Sequence, residues 1–387
     1  MDTLFFYGSL RDRRLTEVVV GQAVSEARFR PARAPGYATR ALPREAYPML
    51  VEAPGEAAEG VVLSEISAVE RARLEYFEEA EYGLVPITVE TDTGPVEAAY
   101  FRATDKPGKT DTPWDFARWQ TEERATAIAA AEEYMSYFGR LSIEEVDAIW
   151  PAIMARARQK TRAAATPPTL GRVRTAFGPD DVSIEAHARP YAGFLTVETL
   201  RLRHKRFDGG WSPSLERTVV LWGDAVTVLP YDPVRDAVLL IEQFRPAPLG
   251  RGDPNPWCLE VVAGRIDGDR GPEATARTEA AEEAGLALGR LREIGRYYST
   301  AGLAGEHMTA FVGEADLSAP GGLHGVADEG EDIRTMVLDW QEAWAAVTDG
   351  AVNTAQALFS LYWLAAHRES LRAAWVAEGQ SRSAGGT

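Results

Sequence analysis

The segment from Ala263 to Leu286 places the strongest constraint on the fold and chemistry of this chain. It predicts a glycine-bearing loop followed by a short acidic helix, with Pro272 suited to the first turn and Gly285 to a left-handed end. Glu279 and Glu283 are four residues apart, so their carboxylates emerge on one helix face and repel each other by roughly 0.2–0.5 kcal/mol. A divalent cation removes this conflict, because Mg²⁺ binds carboxylate oxygens and takes its other ligands from phosphate and water. The segment therefore predicts a Mg²⁺–diphosphate site, with Mn²⁺ as a second candidate ion.

The same segment resembles the box of the Nudix hydrolases, in which a glycine and a spacer precede Arg-Glu-x-x-Glu-Glu-x-Gly and an apolar residue. The residues in register are Gly264, Glu279, Glu282, Glu283, Gly285 and Leu286. Two positions depart from the family pattern, since Arg270 replaces a glutamate and Thr278 replaces the arginine. Arg277 lies one place off, about 100° around the helix, and is not expected to substitute. From the residues alone, a solvated acidic helix is the alternative interpretation.

The resemblance implies roles for the acidic residues. Glu279, Glu283 and the backbone carbonyl of Ala263 would hold the metal, with Glu282 beside them as a catalytic residue. The missing arginine would normally steady Glu282, so looser metal geometry and slower turnover are expected.

The flanking sequence extends the resemblance beyond the box. Two apolar runs, 225–230 and 237–244, surround a turn-rich Asp232-Pro233-Val234-Arg235-Asp236 segment, which is typical of a hairpin. An acidic loop, 323–334, precedes another strand-like run. From about Asp180 to Trp375 the chain resembles the bacterial ADP-ribose pyrophosphatase branch of the Nudix family.

This resemblance also implies substrate-binding residues and a homodimer. In that branch an N-terminal sheet is exchanged between two subunits, and an aromatic residue at the Phe194 position stacks on the partner's adenine. Arg217 and Arg245 occupy the positions of ligand-contacting arginines, and a planar guanidinium can stack on a base or bind phosphate. Glu306 matches an acid that accepts a ribose hydroxyl. Without the resemblance, core packing for Phe194 and a surface ion pair for Arg217 are the simpler interpretations.

The acidic loop contains the expected general base. Glu329, or as the second choice Glu331, would take a proton from the attacking water. A solvated loop is the alternative for both residues.

The start of the chain carries a second pattern. A strand-like segment runs into Tyr7, Gly8, Ser9 and Leu10, and an acidic stretch around Glu78 follows later. These segments resemble the gamma-glutamylcyclotransferase-like fold, a small barrel. The resemblance implies that Tyr7–Leu10 form a binding loop, whose glycine turn suits a substrate carboxylate. Glu78 would move a proton as a γ-linked amide cyclises. A surface acid is the alternative for Glu78.

Length and composition set the domain organisation. A chain of 387 residues exceeds about 100–200 residues per domain, so two domains are expected. Helix-like runs from Thr112 to Phe138 and from Ser142, which has a capping-box pattern, predict a helical connector. We expect an α+β protein with a barrel and appended helices, then an α/β/α sandwich preceded by an antiparallel sheet. The predicted ranges are 1–105 for the barrel, 106–170 for the connector and linker, 171–378 for the Nudix domain and 379–387 for a disordered tail.

Charge and cysteine content exclude several classes of partner. The net charge of −17 argues against nucleic acid and against an anionic membrane surface as partners.

The single cysteine, Cys258, has apolar neighbours and is expected to be a buried thiol. No apolar stretch reaches about 18 residues and the start lacks a basic signal region, so the chain is expected to be cytoplasmic. The five histidines show no metal-ligand spacing, which favours an oxygen-ligand site over zinc.

Three functions from different classes remain open. The first is Mg²⁺-dependent hydrolysis of ADP-ribose, or a related nucleoside diphosphate sugar, to AMP and ribose 5-phosphate. The second is γ-glutamyl cyclotransfer by the N-terminal domain. The third is a non-catalytic sensor of ADP-ribose, which Thr278 and Arg270 favour and the intact Glu279/Glu283 pair opposes. Fused proteins of this type also resemble ones associated with tellurite resistance, a property that no residue explains chemically.

Overall fold

The structure is a computed structural model that describes residues 2–42, 47–78, 82–103, 111–167, 173–268, 270–319, 321–326 and 330–384. Its contacts divide the chain into two units. The N-terminal unit comprises Met1–Phe177 with Ala192–Phe194, and the C-terminal unit comprises Gly178–Tyr191 with Leu195–Thr387. Glu329, residues 168–170 of the predicted linker, residues 171–172 of the predicted Nudix range and residues 385–387 of the predicted tail lie outside the described residues.

The N-terminal unit contains a closed barrel with the strand order β1-β3-β2-β4-β5. Parallel pairing of Leu4 with Ala99 closes it between β1 and β5. Its interior is filled by a cluster that includes Phe5, Val62 and Val89. The strands are β1 (Leu4–Phe6), β2 (Phe29–Ala41), β3 (Pro48–Leu63), β4 (Tyr82–Thr91) and β5 (Gly94–Ala103). The expected small barrel is confirmed.

Helices pack around one side of this barrel. They are α1 (Arg13–Val20), α2 (Ala68–Phe77), α3 (Phe116–Glu122), α4 (Arg124–Tyr134), α5 (Ile143–Ala148) and α6 (Trp150–Ala165). The run predicted to begin at Thr112 begins instead at Phe116, where the Asp115 side chain caps the helix by accepting the Arg118 N–H. It also divides at Glu123 into α3 and α4. The capping box at Ser142 is present as predicted.

A buried ion pair fixes α6 against α4. Arg156 and Glu133 are 0 % and 2 % exposed, and the shortest distance between their charged atoms is 2.6 Å. The Tyr137 hydroxyl also donates to Glu133 Oε1 at 3.1 Å. Removing either charge would leave the other buried and uncompensated, which costs about 3–5 kcal/mol.

The C-terminal unit begins with an antiparallel sheet in the order β6-β7-β8. Its strands are β6 (Val182–Ala192), β7 (Thr196–His204) and β8 (Leu215–Leu221). A mixed sheet of eight strands follows within the described ranges, with β14 parallel to β9 and the other pairs antiparallel. These strands are β9 (Ala225–Asp232), β10 (Ala237–Phe244), β11 (Trp257–Glu260), β12 (Val262–Arg265), β13 (Leu291–Tyr298), β14 (His307–Glu314), β15 (Leu323–His324) and β16 (Ile333–Asp339).

Helices cover both faces of the mixed sheet, because its central strands are apolar on both sides. Val226 and Val228 of β9 pack in the cluster that contains α8. Leu229 and Tyr231, which point the other way, pack with α9 and α10. The helices are α7 (Pro246–Arg251), α8 (Pro272–Ala284), α9 (Trp340–Thr348) and α10 (Ala355–Ala384). The expected α/β/α sandwich is confirmed, and α10 extends past Gly379, where the sequence predicts the start of a disordered tail.

Cys258 is a free, buried cysteine, and burial raises the pKa of its thiol. Across the described ranges, none of the helices has both the length and the apolar character needed to cross a membrane.

Candidate functional site

The acidic helix α8 lies on the mixed sheet through its small residues. Ala276, Ala280 and Ala284 recur every fourth position and are buried in the apolar cluster beneath the helix. Alanine at these positions allows the helix axis to approach β9 and β12 closely. Gly285 ends the helix with a φ of 64°, the left-handed conformation that glycine adopts without strain.

Glu283 is held inside the protein rather than on its surface. It is 3 % exposed, and its Oε2 accepts a hydrogen bond of 3.0 Å from the backbone N–H of Ala263. Burial raises the pKa of Glu283 to about 8; the negative charges of Glu279 and Glu331 act in the same direction, against the Ala263 hydrogen bond and the positive charge of Arg245. A buried acid beside two other acids is a typical functional arrangement.

Glu279 occupies the space above Gly264 of β12. A Cβ atom at position 264 would lie 2.1 Å from both Cδ and Oε1 of Glu279. Only glycine therefore allows the carboxylate to rest against this strand, one residue from the Ala263 carbonyl. The structure thus brings Ala263, Glu279 and Glu283 together where β12 meets α8.

These groups fit a hard divalent cation. Two carboxylates and a carbonyl are oxygen ligands of the kind Mg²⁺ prefers, and a cation would offset the repulsion around Glu283. Among the described residues, no cluster of three His, Cys, Asp or Glu side chains forms a ready metal site. Two carboxylates and one carbonyl do not complete the octahedral shell of Mg²⁺, so its remaining ligands would come from substrate phosphate and water.

Arg245 is fixed at the entrance of α7 by polar residues of β10 and β11. Its Nε donates to Glu260 Oε2 at 2.8 Å, and Gln243 Nε2 donates to the same oxygen at 3.2 Å. The Arg245 side chain is 39 % exposed, so part of the guanidinium remains open to a ligand. Sequence reasoning missed Glu260 and Gln243; polar residues in otherwise apolar strands were the available signal.

The acidic loop approaches the same site through Glu331. Its Oε2 accepts the backbone N–H of Val326 at 3.1 Å, and its charge acts on Glu283. His324 is a third residue that the sequence did not reveal, and its ring lies 3.0 Å from where a Cβ of Gly285 would stand. Its position depends on the pairing of β15 with β16, which the local sequence does not reveal.

Glu306 is buried, 8 % exposed, at the start of β14. Burial raises its pKa, while hydrogen bonds with Ser299 and Trp222 lower it. The preceding Gly305 donates its N–H to the carbonyl of Val220 at the end of β8. Glu306 is therefore held where the antiparallel sheet joins the mixed sheet.

The remaining residues of the Nudix resemblance are more exposed. Arg217 lies on β8 and donates to the carbonyl of Glu216. Phe194, in the β6–β7 turn, is 60 % exposed, which excludes the simple core packing considered for it. Glu282 is exposed on α8.

The two departures from the box contact each other. Arg270 Nη1 donates to Thr278 Oγ1 at 3.4 Å, so a guanidinium reaches the helix position from which the family arginine is missing. Arg277 is engaged elsewhere, since its Nη1 donates to the carbonyls of Leu288 and Gly289. This agrees with the expectation that Arg277 does not substitute.

A separate cavity lies in the N-terminal unit. It has a volume of about 160 Å³, and its lining includes Tyr7, Gly8, Ser9, Leu10 and Glu78. The structure thus brings the predicted binding loop and the predicted acid to one cavity. The Tyr7 hydroxyl donates to the carbonyl of Phe101 at 3.0 Å, which fixes the first residue of the loop to β5.

Comparisons with known proteins match both domains of the chain. The family models "NUDIX domain" and "Gamma-glutamyl cyclotransferase, AIG2-like" match residues 221–357 and 4–121. A protein named ADP-ribose pyrophosphatase from Escherichia coli (strain K12) is 39 % identical over 200 residues, which are 52 % of this chain and 95 % of that protein. The chain belongs to the Nudix family. Its Nudix domain follows an N-terminal gamma-glutamyl cyclotransferase, AIG2-like domain.

Other relatives of the Nudix domain carry two different names. The ADP-ribose pyrophosphatase of Haemophilus influenzae is 32 % identical over 201 residues, covering 51 % of this chain and 93 % of the relative. A GDP-mannose pyrophosphatase from Enterobacter sp. (strain 638) is 33 % identical over 150 residues, covering 38 % of this chain and 77 % of the relative. Both names describe cleavage of a nucleoside diphosphate sugar.

Proposed function

We propose that the Nudix domain hydrolyses the diphosphate of ADP-ribose, or of a related nucleoside diphosphate sugar, to AMP and ribose 5-phosphate. The observation that carries the proposal is the geometry where β12 meets α8: buried Glu283 accepts the Ala263 N–H, and the Glu279 carboxylate lies against Gly264. The names of the relatives support the substrate class.

Mg²⁺, with Mn²⁺ as the second candidate, would be held by Glu279, Glu283 and the carbonyl of Ala263. When bound, the ion polarises phosphoryl oxygens and makes water a stronger nucleophile. Arg245 would bind the diphosphate with the part of its guanidinium that Glu260 does not occupy. Either Glu331 or Glu329, which lies outside the described residues, would accept the proton of the attacking water. Glu282 would help to orient this acidic cluster.

The rest of the substrate would be bound by residues nearer the antiparallel sheet. Glu306 would accept a hydrogen bond from a ribose hydroxyl, while Arg217 and Phe194 would contact the base. Since Phe194 is exposed, we propose that the adenine it contacts belongs to the partner in a homodimer.

The direct test is incubation of the full chain with ADP-ribose and Mg²⁺, followed by chromatography for AMP. We expect equal amounts of AMP and ribose 5-phosphate, with no product when EDTA is present. Tight binding of ADP-ribose without AMP in the presence of Mg²⁺ would instead establish the sensor alternative.

The N-terminal cavity favours a second function, γ-glutamyl cyclotransfer. Glu78 and the Tyr7–Leu10 loop line the same cavity, so an acid/base group and a binding loop can act on one small substrate. Release of 5-oxoproline from a γ-glutamyl amide, lost in Glu78→Gln, tests this function. Unchanged release in that variant would remove Glu78 from the mechanism.

A further inference from the structure

The cavity of the N-terminal unit is not formed by the barrel alone. Its wall includes Ala127 and Tyr134 of α4 and Trp150 and Met154 of α6. All four lie beyond residue 121, where the match to the cyclotransferase family model ends. The helical connector is therefore part of the binding site rather than a spacer.

We propose that α4 and α6 form a selectivity wall, and that the cavity takes a γ-glutamyl amide whose amine carries a ring-sized apolar group. This inference rests on the second proposed function, cyclotransfer at Glu78. The wall, rather than the Tyr7–Leu10 loop, would distinguish such an amide from one with a small or charged amine.

The chemistry of the wall fits a ring. Tyr134 and Trp150 meet edge to face, with ring centroids 5.9 Å apart and an interplanar angle of 80°. Aromatic walls of this kind favour a further ring in an offset or edge-to-face arrangement.

The charge of the lining excludes the substrate of the other domain. Glu78 and Glu123 contribute carboxylates, and the lining residues that the structure describes include no lysine, arginine or histidine. A diphosphate placed there would be repelled without a compensating cation. The ammonium group of a γ-glutamyl amide would be attracted instead, with Glu123 as a second acid available to it.

The wall is preformed, because α6 is locked against α4. Arg156, two residues after Met154, makes the fully buried ion pair with Glu133 of α4. The cavity therefore need not be assembled at the expense of binding energy, and a preorganised wall discriminates better between ligands.

The reaction requires no cofactor or oxidant. The α-amino nitrogen attacks the γ-carbonyl carbon, and the bond from that carbon to the leaving nitrogen breaks. Glu78 accepts the proton that the α-amine loses and returns it to the departing amine. The products are 5-oxoproline and the free apolar amine.

The test compares γ-glutamyl benzylamide with γ-glutamyl methylamide on the full chain. We expect kcat/KM to be at least about tenfold higher for the benzylamide, since even one methylene in an apolar pocket is worth about tenfold or more. Ala127→Leu fills the wall and should bring the ratio near one by slowing the benzylamide alone. Ala125→Leu, on the exposed side of the same helix, is the matched control and should keep the ratio. A ratio near one in the parent chain would overturn the proposal.

A binding measurement separates the wall from the chemistry. If neither amide releases 5-oxoproline, cyclotransfer is wrong. Binding of γ-glutamyl benzylamide, followed by quenching of tryptophan fluorescence, then tests the wall by itself. An absence of quenching would contradict the wall.

Met154→Ala enlarges the cavity and gives a second variant should Ala127→Leu not fold. With this variant, kcat/KM for γ-glutamyl naphthylmethylamide, which carries a larger ring system, should rise relative to that for the benzylamide. An unchanged ratio would contradict the assignment of α6 to the wall.

Discussion

At the scale of single residues, the two domains use buried glutamates in opposite ways. Burial and neighbouring acids raise the pKa of Glu283 to about 8, so this side chain is costly to ionise without a cation. Glu70, in the N-terminal domain, is surrounded by donors instead. It accepts hydrogen bonds from Gln22 and Arg28, and from the backbone of Ser67. The surroundings of Glu283 predict that it binds a cation, and those of Glu70 predict that its charge stabilises the fold.

The effect of Glu70 on stability should depend on pH. Burial alone would raise its pKa, but the hydrogen bonds from Ser67, Gln22 and Arg28 lower it from 4.5 to about 2. The ionised group therefore stabilises the fold above about pH 4.5, and this contribution is lost as the pH falls toward 2. We expect Glu70→Gln to lower the free energy of unfolding by about 3 kcal/mol at pH 7 and by little near pH 2.

Urea unfolding at the two pH values measures this difference. Glu75→Gln, an exposed position on the same helix, should have little effect at either pH. An equal loss for Glu70→Gln at both pH values would show that shape rather than charge is responsible.

At the scale of elements, the β12–α8 segment should tolerate no side chain at Gly264. Gly264→Ala would place a Cβ atom 2.1 Å from the Glu279 carboxylate and so displace a proposed metal ligand. We expect the rate of AMP formation from ADP-ribose to fall at least about tenfold. We also expect weaker Mg²⁺ binding, so that a higher Mg²⁺ concentration is needed for the half-maximal rate. The measurement is the initial rate over a Mg²⁺ titration.

Gly271→Ala is the control for this variant. Gly271 precedes the same helix with a φ of −78°, and nothing lies within 4 Å of a Cβ built there. It should retain the parent rate. A Gly264→Ala protein with parent activity would mean that the position of Glu279 is not important.

Local patterns predicted these elements well. The proline, the two glutamates and the terminal glycine of α8 all lie within one continuous segment. The hairpin of β9 and β10 and the capping box at Ser142 are each likewise contained in one short segment of their own. Glu260, Gln243 and His324 could not be predicted in the same way, because strand pairing between distant segments brings them to the site. The division between α3 and α4 at Glu123 was also missed, since the helical pattern continues across it.

At the scale of the whole molecule, the antiparallel sheet of the Nudix domain leaves apolar residues exposed. Val182 and Ile184 of β6 are 43 % and 60 % exposed. If this sheet contacts a second copy in the proposed homodimer, the 42.3 kDa chain should sediment as a dimer. We expect Ile184→Glu to shift the protein toward the monomer, because it places a charge in an apolar interface.

Analytical ultracentrifugation at several concentrations measures this shift. Val234→Glu, at a residue that is 71 % exposed in the β9–β10 turn, should leave the dimer intact. A monomeric parent chain, or a dimer that Ile184→Glu does not weaken, would contradict this interface.

The central claim is that Glu279 and Glu283 of α8 hold a metal ion against a diphosphate. Its most direct test is the rate of AMP release from ADP-ribose with Mg²⁺ by Glu283→Gln, beside Glu273→Gln in the exposed first turn of the same helix. We expect Glu283→Gln to fold normally, since glutamine can still accept the Ala263 N–H, but to lose more than about a hundredfold in rate, while Glu273→Gln keeps it. AMP release by Glu283→Gln at the parent rate would contradict the claim.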